Sequence, residues 1–249
     1  MQLKDNHRME VDLPLSAGIQ EETDESLDIE VQGQKRYVTG KQAQLIRFLD
    51  DDNTRVLAVQ APTGTGKTHV IALYLLKLME TLKGTVLVTA PTNLAVQEIT
   101  EKVLSRYVPK TGEILFLQSV ANEVLPQQLG KQLWKRYRIP EVLQAHADEK
   151  VEEAKIKFVN QYLRRRLLHD GNSYNAGEAL QTALEIQQLK LICGTVPMIG
   201  VLLQVWEQNF DVEQLKHLVV DGGGLLPETF FIAMIANLPN IERILVTGD

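Results

Sequence analysis

The sequence predicts an α/β fold: a mainly parallel sheet between two helical layers, three layers in all. Three observations carry that expectation. A short apolar run, Arg55 to Gln60, feeds the stretch Ala61-Pro62-Thr63-Gly64-Thr65-Gly66-Lys67-Thr68, and a helix-length run without Gly or Pro, His69 to Met79, follows it. Strand-length apolar runs then alternate with helical segments along the rest of the chain, the pattern of parallel strands joined by crossover helices. One of these runs, Thr85-Val86-Leu87-Val88-Thr89-Ala90, is uninterrupted and rich in β-branched residues. A strand covered on both faces reads this way.

Composition narrows the class. The chain has 249 residues, 44% hydrophobic and 23% charged, values ordinary for a globular protein of one large or two small domains. Cys193 is the single cysteine, which excludes an intrachain disulfide or a cysteine zinc site. A reducing compartment fits, so the expectation is an intracellular protein, cytoplasmic or nuclear. His7, His69, His146, His169 and His217 show no metal-ligand spacing. No uncharged apolar run approaches the roughly 18 residues of a membrane span, so no membrane partner is expected.

The net charge of −6 is unevenly placed: residues 1–30 carry −7 and the remainder +1. An acidic tail thus precedes a near-neutral body, which argues against a broad non-specific nucleic-acid surface. Residues 1–35 read as an acidic disordered tail. Residues 36–249 read as the folded domain. Order is expected from Tyr37, with Thr39 as N-cap of a helix through Leu49 that Asp50-Asp51-Asp52-Asn53 breaks. After the helix at 69–79, Lys83-Gly84 turns into the strand at 85–90, and a helix runs from about Leu94 to Arg106. Further strands are expected at Glu113–Leu117, Leu189–Cys193, Leu218–Asp221 and Arg243–Thr247, with helices near 198–207 and 227–236. The stretch from about 120 to 188 departs from this rhythm. Leu143, Ala147, Val151, Ala154, Phe158 and Tyr162 recur at steps of three and four between Pro140 and Gly171, one stripe of a long helix. A second helix near 176–188 would return, giving an inserted helical hairpin. Arg164-Arg165-Arg166 reads as its solvated end, and Trp134 and Trp206 as packing residues.

The stretch at 61–68 has the form of a phosphate-binding P-loop. Gly64 and Gly66 let the backbone turn its N–H groups inward, Pro62, Thr63 and Thr65 complete the cradle, and Lys67 reaches the β/γ-phosphates. Thr68 supplies a hydroxyl for Mg²⁺. Ala61 stands where the consensus opens with Gly. After the second strand, Pro91-Thr92-Asn93 offers short polar groups at a helix start, suited to a phosphate backbone or simply to a capped loop.

The motifs in this order resemble superfamily 1 helicases of the nonsense-mediated-decay and senataxin type, over residues 38–249. The resemblance implies a RecA-like P-loop NTPase domain that binds ATP and Mg²⁺, with Gln42 at the adenine. It implies contact with single-stranded RNA or DNA through Pro91, Thr92, Asn93 and Thr195 of Ile192-Cys193-Gly194-Thr195. Val219-Val220-Asp221 takes the Walker B place, with Asp221 toward the metal, and Leu245-Val246-Thr247-Gly248-Asp249 resembles the opening of the next motif. Two departures follow. The family's glutamate, which accepts a proton from the attacking water, is Gly222 here, and its glutamine is Leu225. The family's second RecA-like domain is not in the sequence. Losing the base costs about 10²–10⁴ in rate and losing an arginine finger about 10³–10⁵.

No catalytic residue is therefore assigned. Glu228, seven residues past Asp221, is a poor substitute. The expectation is an ATP-binding, helicase-like domain, truncated or degenerate, with weak or no hydrolysis, no autonomous unwinding and a weak grip on a single strand. Its partner would be a protein or a separately encoded second RecA domain. Two alternatives stay open: a non-catalytic interaction module on the same fold, and the N-terminal fragment of an active helicase. A small-molecule kinase fits less well, because the Ala-Pro-Thr-Asn segment has no role there.

Overall fold

The computed structural model describes residues 26–51, 53–62, 64–110, 112–118, 133–148, 160–161, 176–185, 188–209 and 214–248. Eight strands and seven α-helices are described. Strands β1 (Ser26–Val31) and β2 (Gln34–Thr39) lead into α1 (Gly40–Asp50), β3 (Val56–Gln60), α2 (Lys67–Thr81), β4 (Thr85–Ala90), α3 (Asn93–Leu104) and β5 (Ile114–Leu117). Then come α4 (Ile139–Asp148), α5 (Ala176–Glu185), β6 (Leu191–Thr195), α6 (Val196–Asn209), β7 (Leu215–Val220), α7 (Glu228–Ala236) and β8 (Arg243–Gly248).

Six strands form one sheet in the order β3-β8-β7-β4-β6-β5, and every pairing is parallel. Parallel strands need crossovers on the faces, and the chain supplies them on both. One core gathers α1, α2 and α3 with side chains such as Val86, Val88, Phe116 and Cys193. The other gathers α4 to α7 with Leu87, Leu115, Ile192 and Leu218, the alternate residues of the same strands. The β4 run is buried at all six positions, as its composition predicts. This is the three-layer, RecA-like P-loop NTPase fold expected from the sequence.

The start of the domain differs from expectation. Ser26–Val31 and Gln34–Thr39 form an antiparallel hairpin, so the ordered chain begins at least ten residues before Tyr37. The signal was present: Leu27, Ile29 and Val31 alternate with Asp28 and Glu30, and Ile29 and Val31 are buried. Acidic composition obscured that period-2 pattern. Gln32 and Gly33 both have positive φ (49° and 70°), the geometry of a two-residue hairpin loop. Gln32 pins the tip: its backbone N–H donates to Glu80 Oε1 and its Nε2 to the Val108 carbonyl. Residues 1–25 lie outside the described residues.

Of the inserted hairpin, α4 starts at Ile139, with Pro140 in its first turn as predicted, and α5 matches the returning helix. Leu143, Leu180 and Ala183 are fully buried in the second core. Most of the long-helix stripe beyond Asp148, and the three arginines, fall outside the described residues. Trp134 is buried, its ring 4.8 Å from that of Phe116, a packing role as expected. Among the described residues no helix is long and apolar enough to cross a membrane.

One buried polar pair ties the first core to β7. The Tyr74 hydroxyl and His217 Nδ1 lie 3.1 Å apart, and both residues are almost fully enclosed. Burial pushes the Tyr74 phenol up to about 12 and the His217 imidazole down to about 4, so both are neutral at pH 7. An unfolded histidine titrates near 6.5. The unfolded chain therefore binds the extra proton first, and stability present above about pH 6.5 is lost as pH falls toward 4. Wild type should lose stability across that window faster than His217→Gln, by at most about 1.4 kcal/mol per pH unit, in denaturant titrations at matched pH.

Candidate functional site

All six strands point the same way, so their C-terminal ends share one edge of the sheet, where ligands of open α/β sheets bind. Four chain segments arrive there. The loop after β3 carries Ala61 to Gly66; Pro91 and Thr92 follow β4; Asp221 and Gly222 follow β7; and Gly248 ends β8. Together they line a cleft of about 540 Å³ with Gly64, Gly66, Lys67, Thr68, Pro91, Thr92, Asp221, Gly222 and Leu225 in its walls. That volume lies within the range of small-molecule and cofactor sites, roughly 300–1,000 Å³.

The loop geometry follows from its glycines. Gly64 (φ 81°) and Gly66 (φ 91°) occupy the left-handed region, which a β-carbon disfavours. Gly66 is the N-cap of α2 and has no side chain to satisfy the first helical N–H groups. A helix N-terminus without a side-chain cap is suited to an anion, reinforced by the helix dipole. The Thr65 hydroxyl donates to the Pro62 carbonyl at 2.8 Å and closes the turn. Lys67 Nζ donates to the Ala61 carbonyl, which folds the cation back over the loop. Gln42 Nε2 donates to the Thr65 carbonyl at 3.2 Å, so the residue expected at the adenine touches the loop itself. Thr63 lies outside the described residues.

The two residues assigned to the metal from the sequence, Thr68 and Asp221, line the same cleft. Asp221 is fixed from two sides. Its backbone N–H donates to the Thr89 carbonyl at 2.9 Å, and its Oδ1 accepts the Thr247 hydroxyl at 2.6 Å. One hydroxyl and one carboxylate beside a P-loop lysine form the hard-oxygen donor set that Mg²⁺ takes, with water and phosphate completing the shell. The chain thus fits a Mg²⁺-nucleotide in both loop shape and donor chemistry.

The candidate strand contacts are brought together only in part. Ala90 and Thr195 are register partners of β4 and β6, so Pro91-Thr92-Asn93 and Thr195 share one end of the sheet. Thr92 is exposed but committed as N-cap, its Oγ1 accepting the Ala95 N–H at 3.2 Å. Thr195 is only 8% exposed, so its side chain does not present to a strand at the surface. Sequence reasoning also missed cleft residues. His69 of α2 and Ala95, Glu98 and Lys102 of α3 extend the lining, the last three at helical steps that put them on one face. His69 Nδ1 faces Arg106 Nη2 at 3.2 Å. Burial and the nearby Arg106 charge both lower the His69 pKa.

The segment after Asp221 has its own logic. Gly222 has φ 70° and ψ 32°, and a β-carbon there would sit 3.2 Å from Pro91 Cδ. At Gly223 a β-carbon would fall 2.3 Å from Val246 Cγ1. The chain crosses β8 in a 3-10 turn, Gly223–Leu225, and leaves Leu225 78% exposed at the cleft.

A parallel sheet with a glycine-formed anion loop after β3, an adjacent lysine and a carboxylate at the end of β7, one strand removed, defines a P-loop NTPase domain. Residues 38–194 match the family model described as AAA domain, and the chain belongs to that family. No curated protein matches it. Among solved structures, it is similar to the UvsW helicase of bacteriophage T4 in two crystal structures, each 12% identical over 89% of this chain with a TM-score of 0.47. The matched region covers 32% and 56% of those chains, so this chain spans less than two thirds of either.

Gly66 and Gln42 form one unit, because a β-carbon on Gly66 would lie 2.7 Å from Gln42 Nε2. Gly66→Ala should cost about 1 kcal/mol or more from its φ and displace the Gln42 amide. Unfolding free energies of Gly66→Ala, Gln42→Ala and the double variant should consequently be non-additive, the second change costing little after the first.

Proposed function

We propose that this domain binds Mg²⁺-ATP and holds it with little or no turnover, as a degenerate relative of superfamily 1 helicases of the nonsense-mediated-decay and senataxin type. The observation that carries this reading is the backbone at Gly222. The resemblance puts the water-activating glutamate at that position. Here the backbone is left-handed, and Pro91 lies against the place a β-carbon would take. The fold around residue 222 is built for glycine, so the departure is structural as well as chemical. Leu225, where the resemblance expects a glutamine, offers the cleft an apolar side chain that makes no hydrogen bond to a phosphate.

Binding and turnover separate on physical grounds. Lys67, Thr68 and Asp221 act on a bound nucleotide in its ground state, whereas a water-activating base and an arginine finger act on the transition state. Gln42, at the loop, supports adenine as the base. A single strand of RNA or DNA would lie across Pro91, Thr92 and Asn93 at the sheet edge, with a weak grip because the body is near-neutral. Unwinding would require a second RecA-like domain, on the same chain or on a partner.

A non-catalytic interaction module is favoured by one observation. Helix α7 is apolar nearly all round, yet only Met234 is buried, while Phe230 and Ile232 are more than half exposed. That surface adjoins Leu225 and suits a docked protein or second domain.

Two measurements decide among these. Calorimetry with Mg²⁺-ATP should show micromolar-range binding by wild type and at least a tenfold loss in Lys67→Ala. A wild type that binds no nucleotide leaves the interaction module standing. Gly222→Glu should not raise ATPase above the wild-type background, with or without a single strand, and should lower thermal stability because glutamate strains the left-handed backbone. Vigorous turnover by wild type or by that variant would overturn the reading.

A further inference from the structure

The last strand of the sheet carries a contact with no role in the reading so far. The geometry points to Thr247 as a positioning residue for the metal-side carboxylate, with Gly248 joining that carboxylate to the phosphate loop. The inference rests on the proposed Mg²⁺-nucleotide binding and deepens it.

Thr247 is 1% exposed, and its hydroxyl donates to Asp221 Oδ1 at 2.6 Å. A hydroxyl bonded to one carboxylate oxygen restrains the carboxylate's rotation and leaves the other oxygen out of that bond, on a residue that lines the cleft. Outer partners of this kind orient the groups that hold a metal or its water. The next residue acts on the opposite wall. The Ala61 N–H, at the mouth of the P-loop, donates to the Gly248 carbonyl at 3.0 Å. Strand β8 lies between β3, which delivers the loop, and β7, which delivers Asp221. Two consecutive residues of one strand therefore set the spacing between the phosphate cradle and the carboxylate. Gly248 suits that close approach, because a β-carbon would sit a tight 3.2 Å from the Gly224 backbone nitrogen.

The Asp221 side chain has no comparable anchor on its own strand; its backbone N–H bond to Thr89 holds the main chain and leaves the carboxylate free to rotate. Removing the hydroxyl while keeping the shape should thus loosen the carboxylate without opening a cavity. Thr247→Val does this, and Thr247→Ser restores the donor without the methyl.

Two readouts test the inference. In nucleotide-free protein, Thr247→Val and Asp221→Ala should be coupled in thermal unfolding, the double variant losing less than the sum of the singles. In nucleotide binding followed against Mg²⁺ concentration, Thr247→Val should need at least about tenfold more Mg²⁺, with binding in EDTA unchanged and Thr247→Ser near wild type. Equal weakening in Mg²⁺ and in EDTA would make Thr247 a general packing residue and overturn the proposal. An unchanged Mg²⁺ requirement would overturn it as well. If wild type binds no nucleotide, the functional reading fails by itself, and the unfolding cycle still decides whether Thr247 anchors Asp221: additive losses would refute the contact.

Discussion

The bond between the Ala61 amide and the Gly248 carbonyl is a single main-chain contact, yet it fixes where the phosphate loop leaves the sheet. It continues the parallel ladder of β3 and β8 by one residue past Gln60, so the loop begins from a defined height above the sheet edge. Gly64 and Gly66 can then bend the chain back toward α2, and Lys67 and Thr68 enter the cleft from a helix whose next two turns are almost wholly buried. Such a site derives its precision from the strands, because a loop anchored on packed elements keeps its geometry when the side chains around it change. In this chain the strands hold the phosphate loop, while the segment after Asp221 places Gly222 and Leu225 on the other wall of the cleft.

Glycine acts in opposite ways at the two walls. At 64 and 66 it opens backbone donors to a ligand. At 222 and 223 it lets the main chain occupy space that side chains would need, close against Pro91 and Val246. A glutamate at 222 would strain the left-handed backbone and press its β-carbon to 3.2 Å from Pro91 Cδ, so the proline would have to give by a few tenths of an ångström.

The sheet and its P-loop were legible because both rest on local patterns. Continuous apolar runs mark strands buried on two faces, and Gly-Thr-Gly-Lys-Thr between a strand and a helix leaves few alternatives. The β1–β2 hairpin was missed because its alternation is written in Asp, Glu and Leu, a composition that reads as disorder when charge is weighed before period. Thr247 was illegible for a different reason. Its partner is 26 residues away on another strand, and nothing in the sequence states which strand lies beside β7. Strand order decides that contact, and local pattern does not carry strand order. The same holds for Glu98 and Lys102, whose place in the cleft depends on how α3 lies against α2. Thr195 marks a further limit: motif position placed it at the correct sheet end, but only packing shows that its side chain is enclosed.

Lys67 gives the loop one more property. Its ammonium is bonded to the Ala61 carbonyl, so the lysine already has a partner inside the loop. A phosphate arriving there exchanges one partner of the lysine for another. The affinity measured is then a difference between two good contacts, and the heat released is smaller than the number of new bonds suggests. The loop keeps its shape between visits, since the group that grips the ligand also braces the empty turn.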